Sequence, residues 1–453
     1  MKGKKLFKLS TTHIILLSFL IAIFIGATLL TLPISSASCQ STPFVDALFT
    51  ATTATCVTGL VVLPTFSAWS TFGHVVILVL IQIGGLGIIT VMSGIALFLN
   101  KKIGLSDRIL LQDAFNLNTL SGLGSFVKKV ILGTALIEGV GALIYMTVFI
   151  PKFGLRGIWI SVFTSISAFC NAGIDIIAED SLCSFVANPV INIVTSALIV
   201  LGGIGYIVWW DVLRVIKESK TKRSGLFKRL TLHSKIAITS TFVLIIAGAL
   251  LFLVFEYNNP ETIKEFSLFD KIQAALFQSI TTRTAGFASI PQENLTNSSA
   301  IVSLLLMFIG GSPVGTAGGI KTVTFVTLLL AAHAAIRNKN HVGVFGRRIS
   351  KDAISKSIAV TTVSFIIMFL STLFLSCVTD ADILDILYET VSATATVGLT
   401  RAFTPSLNVA GKLIITATMY LGRVGPISLA IAFLTKKENQ NIINDPTESI
   451  SVG

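Results

Sequence analysis

Charge is scarce in this sequence. Only 12% of its 453 residues are Asp, Glu, Lys or Arg, against about 25% in a soluble globular chain. With 53% apolar residues and a mean hydropathy of +0.85, this excludes a disordered chain, a fibrous one and an ordinary cytosolic enzyme. Cysteine is scarce too. Cys39, Cys56, Cys170, Cys183 and Cys377 are scattered, odd in number and never spaced C-x-x-C, which argues against a disulfide framework and a zinc site. The apolar runs hold no cluster of His, Asp and Glu, so a membrane enzyme is disfavoured. What the chain has instead is repeated apolar runs of about 20 residues, the length that takes a helix across a bilayer core. It reads as an all-α polytopic membrane protein.

The net charge of +12 does not point to nucleic acid. Most of the Lys and Arg fall in five clusters, within 2–8, 101–129, 214–235, 337–356 and 436–437. All five share one side if each interval between them crosses the membrane twice. Basic loops stay in the cytoplasm, so both termini are expected there, with the protein in the cell membrane. The run from Ile14 to Leu32 is long for a signal peptide and reads as the first span. The opposite face carries Asp46, Asp175, Glu179, Asp180, Glu256, Glu261, Glu265, Asp270, Glu293, Asp380, Asp382, Asp385 and Glu389 against six bases. These carboxylates either concentrate cations near an entrance or are ordinary solvated loop charges.

Between basic clusters one order recurs four times: a long apolar run, a short semi-polar run, a long apolar run. The spans lie near 14–32 and 73–99, 130–150 and 190–213, 236–257 and 300–335, and 357–378 and 409–434. The repeats divide the chain at 1–115, 116–228, 229–350 and 351–453. The short runs, near 44–56, 159–170, 269–282 and 383–395, end in Val57-Thr58-Gly59, Asn171-Ala172-Gly173, Thr284-Ala285-Gly286 and Thr396-Val397-Gly398. Their glycines recur every 112 to 114 residues. Runs this short read as re-entrant segments. Non-helical backbone at membrane depth persists only where protein buries it or it lines a watery path. Four such loops about a pseudo-fourfold axis would form a ring of carbonyl oxygens able to replace the hydration shell of a monovalent cation.

The second long runs share a motif, Gly84-Gly85-Leu86-Gly87, Gly202-Gly203-Ile204-Gly205, Gly310-Gly311-Ser312 and Gly422-Arg423-Val424-Gly425. Arg423 stands where the others have glycine. An arginine at mid-span usually faces an interior or a water-filled cavity, so Arg423 is expected to set a barrier to cations below the ring; the alternative is a structural pairing with a carbonyl end. The third repeat continues through Gly310, Gly311, Ser312, Gly315, Thr316, Gly318 and Gly319 to Lys321. Five glycines and a proline do not stay helical. A break here is expected to act as a gate or to be a static kink, with Lys321 on a carbonyl end or a neighbouring subunit. A Walker phosphate loop is absent. Glu138 is expected to pair with a base, and His74 and His333 to be structural.

These loops, the broken run and Leu421-Gly-Arg-Val-Gly-Pro resemble the Trk/Ktr/HKT cation transporter superfamily over essentially the whole chain. The resemblance is strongest to the KtrB (NtpJ-like) membrane subunits of bacterial Ktr uptake systems. It implies four tandem helix–pore loop–helix repeats around a pseudo-fourfold pore, K+ uptake often promoted by Na+, and a homodimer with one pore per subunit. It also implies a cytosolic KtrA-like nucleotide-binding ring on the basic face. The filter residues would be those of the four tripeptides above, holding K+ as the transported ion. Gly310 to Lys321 and Arg423 would form the gate. No covalent cofactor is implied; any nucleotide belongs to the partner, and lipid is the surrounding medium. Gly59 in place of serine favours K+ over Na+ in this superfamily. Cys56 and Cys170 depart from its usual residue types and bear on ion affinity and thiol sensitivity. The competing class is an alternating-access secondary transporter for a small solute, which usually has inverted repeats; these repeats run parallel.

Overall fold

A computed structural model describes residues 11–98, 122–219, 225–339 and 341–425. The basic residues within 2–8, 101–108, 220–223 and 436–437, the boundary at 115/116 and both termini lie outside the described residues. Four outer helices, Thr11–Thr31, Leu123–Phe153, Leu232–Glu256 and Lys351–Ser376, are long and apolar enough to cross a membrane. Their outward faces leave Ile21, Phe24, Phe242, Val254, Phe365 and Phe369 exposed. In water such faces would be unstable; in hydrocarbon they are solvated.

Each outer helix is followed by a pore helix: Phe44–Cys56, Arg156–Cys170, Leu268–Thr281 and Ile383–Ala395. An inner helix follows each of these: Thr71–Leu86, Pro189–Gly203, Asn297–Phe308 and Val409–Val424. The inner helices begin alike. Ser70, Asn188, Thr296 and Asn408 cap them by accepting hydrogen bonds from backbone amides of the first turn; such a cap contributes about 1 kcal/mol. Without a hydrophobic driving force between helices, packing in lipid relies on close approach at small residues. Gly26, Gly141 and Gly248 of three outer helices supply it, lying against Leu80, Leu198 and Leu306 of the corresponding inner helices.

The inner runs are not the continuous spans the sequence suggests for 73–99 and 190–213. In both, the chain breaks after the glycine motif. Ile88–Phe98 leaves the first inner helix after a bend of 100°, and Tyr206–Ser219 leaves the second after one of 97°. The last glycine of each motif takes a positive φ, +84° at Gly87 and +93° at Gly205, a conformation that a Cβ disfavours. The third run breaks as expected, between Phe308 and Thr322. The described part of the fourth inner helix ends at Val424, with Gly425 at φ +92°. Interruption of the inner run is thus seen in the first three repeats. A small hairpin, Gly343–Val344 against Arg347–Arg348, is the one sheet among the described residues.

Candidate functional site

Three pore helices end directly on a left-handed residue, and the third reaches its own at Thr284 after a right-handed cap at Thr282. Val57, Asn171, Thr284 and Thr396 adopt left-handed backbone with φ between +50° and +75°, and Gly59, Gly173, Gly286 and Gly398 follow at φ +64° to +100°. The amides just after each helix turn back to it. Those of Thr58, Ala172 and Val397 donate at 2.8 Å to the carbonyls of Thr53, Ser167 and Ser392, and that of Ala285 donates to Thr281. The Thr53 and Ser392 hydroxyls accept from the amides of Gly59 and Gly398 at 2.9 and 3.0 Å. These N–H groups are committed to their own helix, which leaves the loop carbonyls free as acceptors. These anchoring residues were missed in the sequence. Their signal is a hydroxyl residue six positions before the glycine in three of the four loops.

The loops close a ring. A Cβ on Gly59 would meet the carbonyl oxygen of Ala172, one on Gly173 that of Ala285, one on Gly286 that of Val397, and one on Gly398 that of Thr58. Each loop therefore faces the next in order, and the fourth returns to the first. The four glycines open into a cavity of about 410 Å3 that Asp175, Glu179, Asp180 and Glu293 also line. Asp175 accepts from the Ser181 hydroxyl at 2.6 Å and from the Ile177 amide at 3.2 Å. Burial nevertheless raises its pKa from the usual carboxylate range to about 6.

On the other side of the ring lies the broken third inner run. The first glycine of each motif is where the inner run crosses a backbone carbonyl too closely for a side chain. A Cβ on Gly84, Gly202 or Gly422 would strike the carbonyl of Thr55, Phe169 or Thr394, four residues before each ring glycine. The segment from Gly310 to Lys321 passes under the second and fourth loops. Ser312 and Thr316 amides donate to Gly203 and Gly202 carbonyls at 2.8 and 3.1 Å. The Ser312 and Thr322 hydroxyls share a hydrogen bond at 2.9 Å, and a Cβ on Gly318 would meet the Thr396 hydroxyl. Gly319 has φ +65°, and Gly311 and Gly315 pack on the Gly203 and Gly202 carbonyls.

Three cations hold this segment. Arg423 donates through one guanidinium nitrogen to the Thr316 carbonyl at 2.7 Å and through the other to the Gly84 carbonyl at 2.5 Å. Lys321 donates to the Ala317 carbonyl at 2.5 Å, a carbonyl of the break rather than a neighbouring subunit. Arg283, to which the sequence reading gave no role, donates to the Gly310 carbonyl at 3.2 Å. Among the described residues Glu138 meets no base, contrary to expectation; it accepts from the Gln82 amide at 3.2 Å beside Cys170. His74 holds the Thr65 carbonyl at 2.8 Å, a structural contact. Cys56 and Cys170 are buried free thiols at the ends of their pore helices.

Residues 2–444 match the TrkH family, described as a cation transport protein. The chain is 41% identical over 431 residues to Ktr system potassium uptake protein B of Bacillus subtilis (strain 168), a match covering 95% of this chain and 94% of that one. It is 39% identical to potassium/sodium uptake protein NtpJ of Enterococcus hirae, over 100% and 99% of the two chains. Its fold is similar to the crystal structure of the potassium transporter TrkH from Vibrio parahaemolyticus, with a TM-score of 0.75 at 15% identity, over 95% of this chain and 86% of that one. The likeness of fold and the length of these matches agree with the four spanning helices, and the chain is a multi-pass membrane protein of the TrkH family of cation transport proteins.

Proposed function

We propose that this protein is a potassium uptake subunit whose filter is the ring of Gly59, Gly173, Gly286 and Gly398. The observation that carries the reading is the closed sequence of contacts in which each loop's glycine faces the next loop's carbonyl. Oxygens so arranged replace the water around a monovalent cation. A cation loses its outer hydration in the acidic vestibule, is held by carbonyls at the ring, and passes inward when the Gly310–Lys321 segment moves. The potassium and sodium named in its relatives support K+ as cargo and leave Na+ as a promoter. A homodimer in the cell membrane with cytoplasmic termini, and a nucleotide-binding ring on its basic face, complete the reading. The repeats divide at 1–115, 116–228, 229–350 and 351–453. An alternating-access carrier is not favoured, because all four repeats run parallel about one axis.

The test is tracer Rb+ uptake into liposomes holding this chain, with and without a cytosolic nucleotide-binding partner. Uptake that K+ blocks far better than Na+ is the expected result. Equal block by Na+ overturns the K+ assignment, and no uptake under either condition overturns the pathway.

The vestibule adds a pH dependence. Asp175 is ionised at pH 7.5 and becomes neutral as the outside pH falls through about 6. The vestibule then loses one negative charge, and fewer cations gather at the filter. Rb+ uptake should therefore fall between external pH 7.5 and 5 by about twofold to fivefold. Asp175→Asn should start lower and lose that part of the slope; a full wild-type slope in the variant assigns the titration to another group.

A further inference from the structure

Asn171 belongs to the filter and to the gate at once. It is the left-handed residue of the second loop. Its Nδ2 donates to the Thr316 hydroxyl at 2.8 Å, and that hydroxyl donates onward to the Phe169 carbonyl at 2.9 Å. Its Oδ1 is buried and has no partner. Thr284 and Thr396 hold the same position in the third and fourth loops, and their hydroxyl oxygens are likewise buried and unpartnered. The first loop has Val57 there, with the unpartnered Thr58 hydroxyl one residue on. Buried polar oxygens are nearly always satisfied, and leaving one bare is unfavourable. Three at one level of a fourfold structure mark a place for a positively charged ligand.

We infer that Asn171 couples cation binding at the inner end of the filter to the gate, with Thr316 setting the orientation of its amide. An amide presents oxygen on one side and N–H on the other. Thr316 has its hydrogen on the Phe169 carbonyl, so it accepts from Asn171, and Nδ2 must face it. Oδ1 is thereby left to the cation. A flipped amide would turn N–H groups toward the ion and put two acceptors together at Thr316. In the other direction, a cation on Oδ1 polarises the amide and strengthens its donation to Thr316. The effect is reciprocal, as any coupling between two binding events must be. Asn171 thus positions the gate, and Thr316 positions a filter ligand it does not itself supply.

The inference rests on the proposed potassium pathway, and its test separates the two. In the full chain, Thr316→Val removes both hydrogen bonds at similar volume and alters no filter residue. Thr316→Ser keeps them. Two quantities are measured: K+ against Na+ competition in equilibrium binding to the detergent-solubilised protein, and Rb+ leak into liposomes without a partner. Thr316→Val should lose K+ preference at least about threefold and leak about tenfold more, the size of one or two hydrogen bonds. Thr316→Ser should stay within about twofold of wild type in both. Asn171→Thr keeps an oxygen at the ring but is too short to reach Thr316, and should leak as Thr316→Val does. Unchanged K+ preference in Thr316→Val overturns the coupling whether or not it leaks, as does a tight gate in Asn171→Thr. A wild type that binds K+ over Na+ yet passes no Rb+ overturns the conduction reading alone, and the binding comparison still decides the coupling.

Discussion

Replacing Gly398 by Asp is expected to abolish Rb+ uptake, a fall of at least about a hundredfold, while the protein still inserts and purifies as the wild type does. Three physical effects act together. Gly398 has φ +96°, where a residue bearing a Cβ is strained by at least about 1–2 kcal/mol. The new Cβ would collide with the Thr58 carbonyl and come 2.7 Å from the Gly59 Cα. That carbonyl is one of the oxygens assigned to the ion, so relief of the clash displaces a ligand. The carboxylate would also hold a cation too tightly to release it, and conduction needs binding weak enough to leave. Insertion is decided elsewhere, by the long outer helices. Gly286→Asp should behave alike, since its Cβ would strike the Val397 carbonyl. Rb+ uptake measured beside membrane-fraction yield checks the expectation. Normal transport in either variant would remove the four-loop filter as an account of the pathway.

Deleting Ser312 to Thr316 should have the opposite sign: a partner-independent leak, at least about tenfold above wild type. The deletion removes the Ser312 and Thr316 amides that bind the Gly203 and Gly202 carbonyls, and the Thr316 carbonyl that Arg423 holds. It leaves the Arg283 bond to Gly310 and the Lys321 bond to Ala317 in place, so the ends of the break stay anchored. Each lost bond contributes about 1 kcal/mol, and two or three of them change a closed-to-open ratio by about thirtyfold or more. Arg423, freed from Thr316, keeps its hold on the Gly84 carbonyl. Its charge thus stays below the ring, and the leak should remain below a fully open pore. The measurement is Rb+ uptake without any cytosolic partner. If the deleted protein stays as tightly closed as wild type, the gate lies outside residues 310–321.

The pore helices show how far local pattern reaches. The short runs at 44–56 and 383–395 coincide with helices Phe44–Cys56 and Ile383–Ala395. Pro43 and Asp382 stand before them, residue types that commonly precede a helix, but the left-handed residues after them are Val57 and Thr396, β-branched side chains that do not favour that backbone. The inner runs were less legible. Gly87 and Gly205 sit in sequences that are apolar on both sides, so hydropathy carries through them. Only the positive φ of those glycines reveals the break.

Sequence alone determined the membrane class, the fourfold repeat, the position of each ring glycine and the site of the Gly310–Gly319 break. All of these are written locally, in apolar run length, residue type and a period near 113 residues. Tertiary structure decided which oxygen each special residue meets. Asn171 reaches Thr316 across 145 positions, and Arg423 reaches Thr316 across 107 and Gly84 across 339. Periodicity fixes which face of a helix a residue occupies. It does not fix which element of another repeat packs there, because that depends on how four similar units, each unable to bury its own loop, close around one axis.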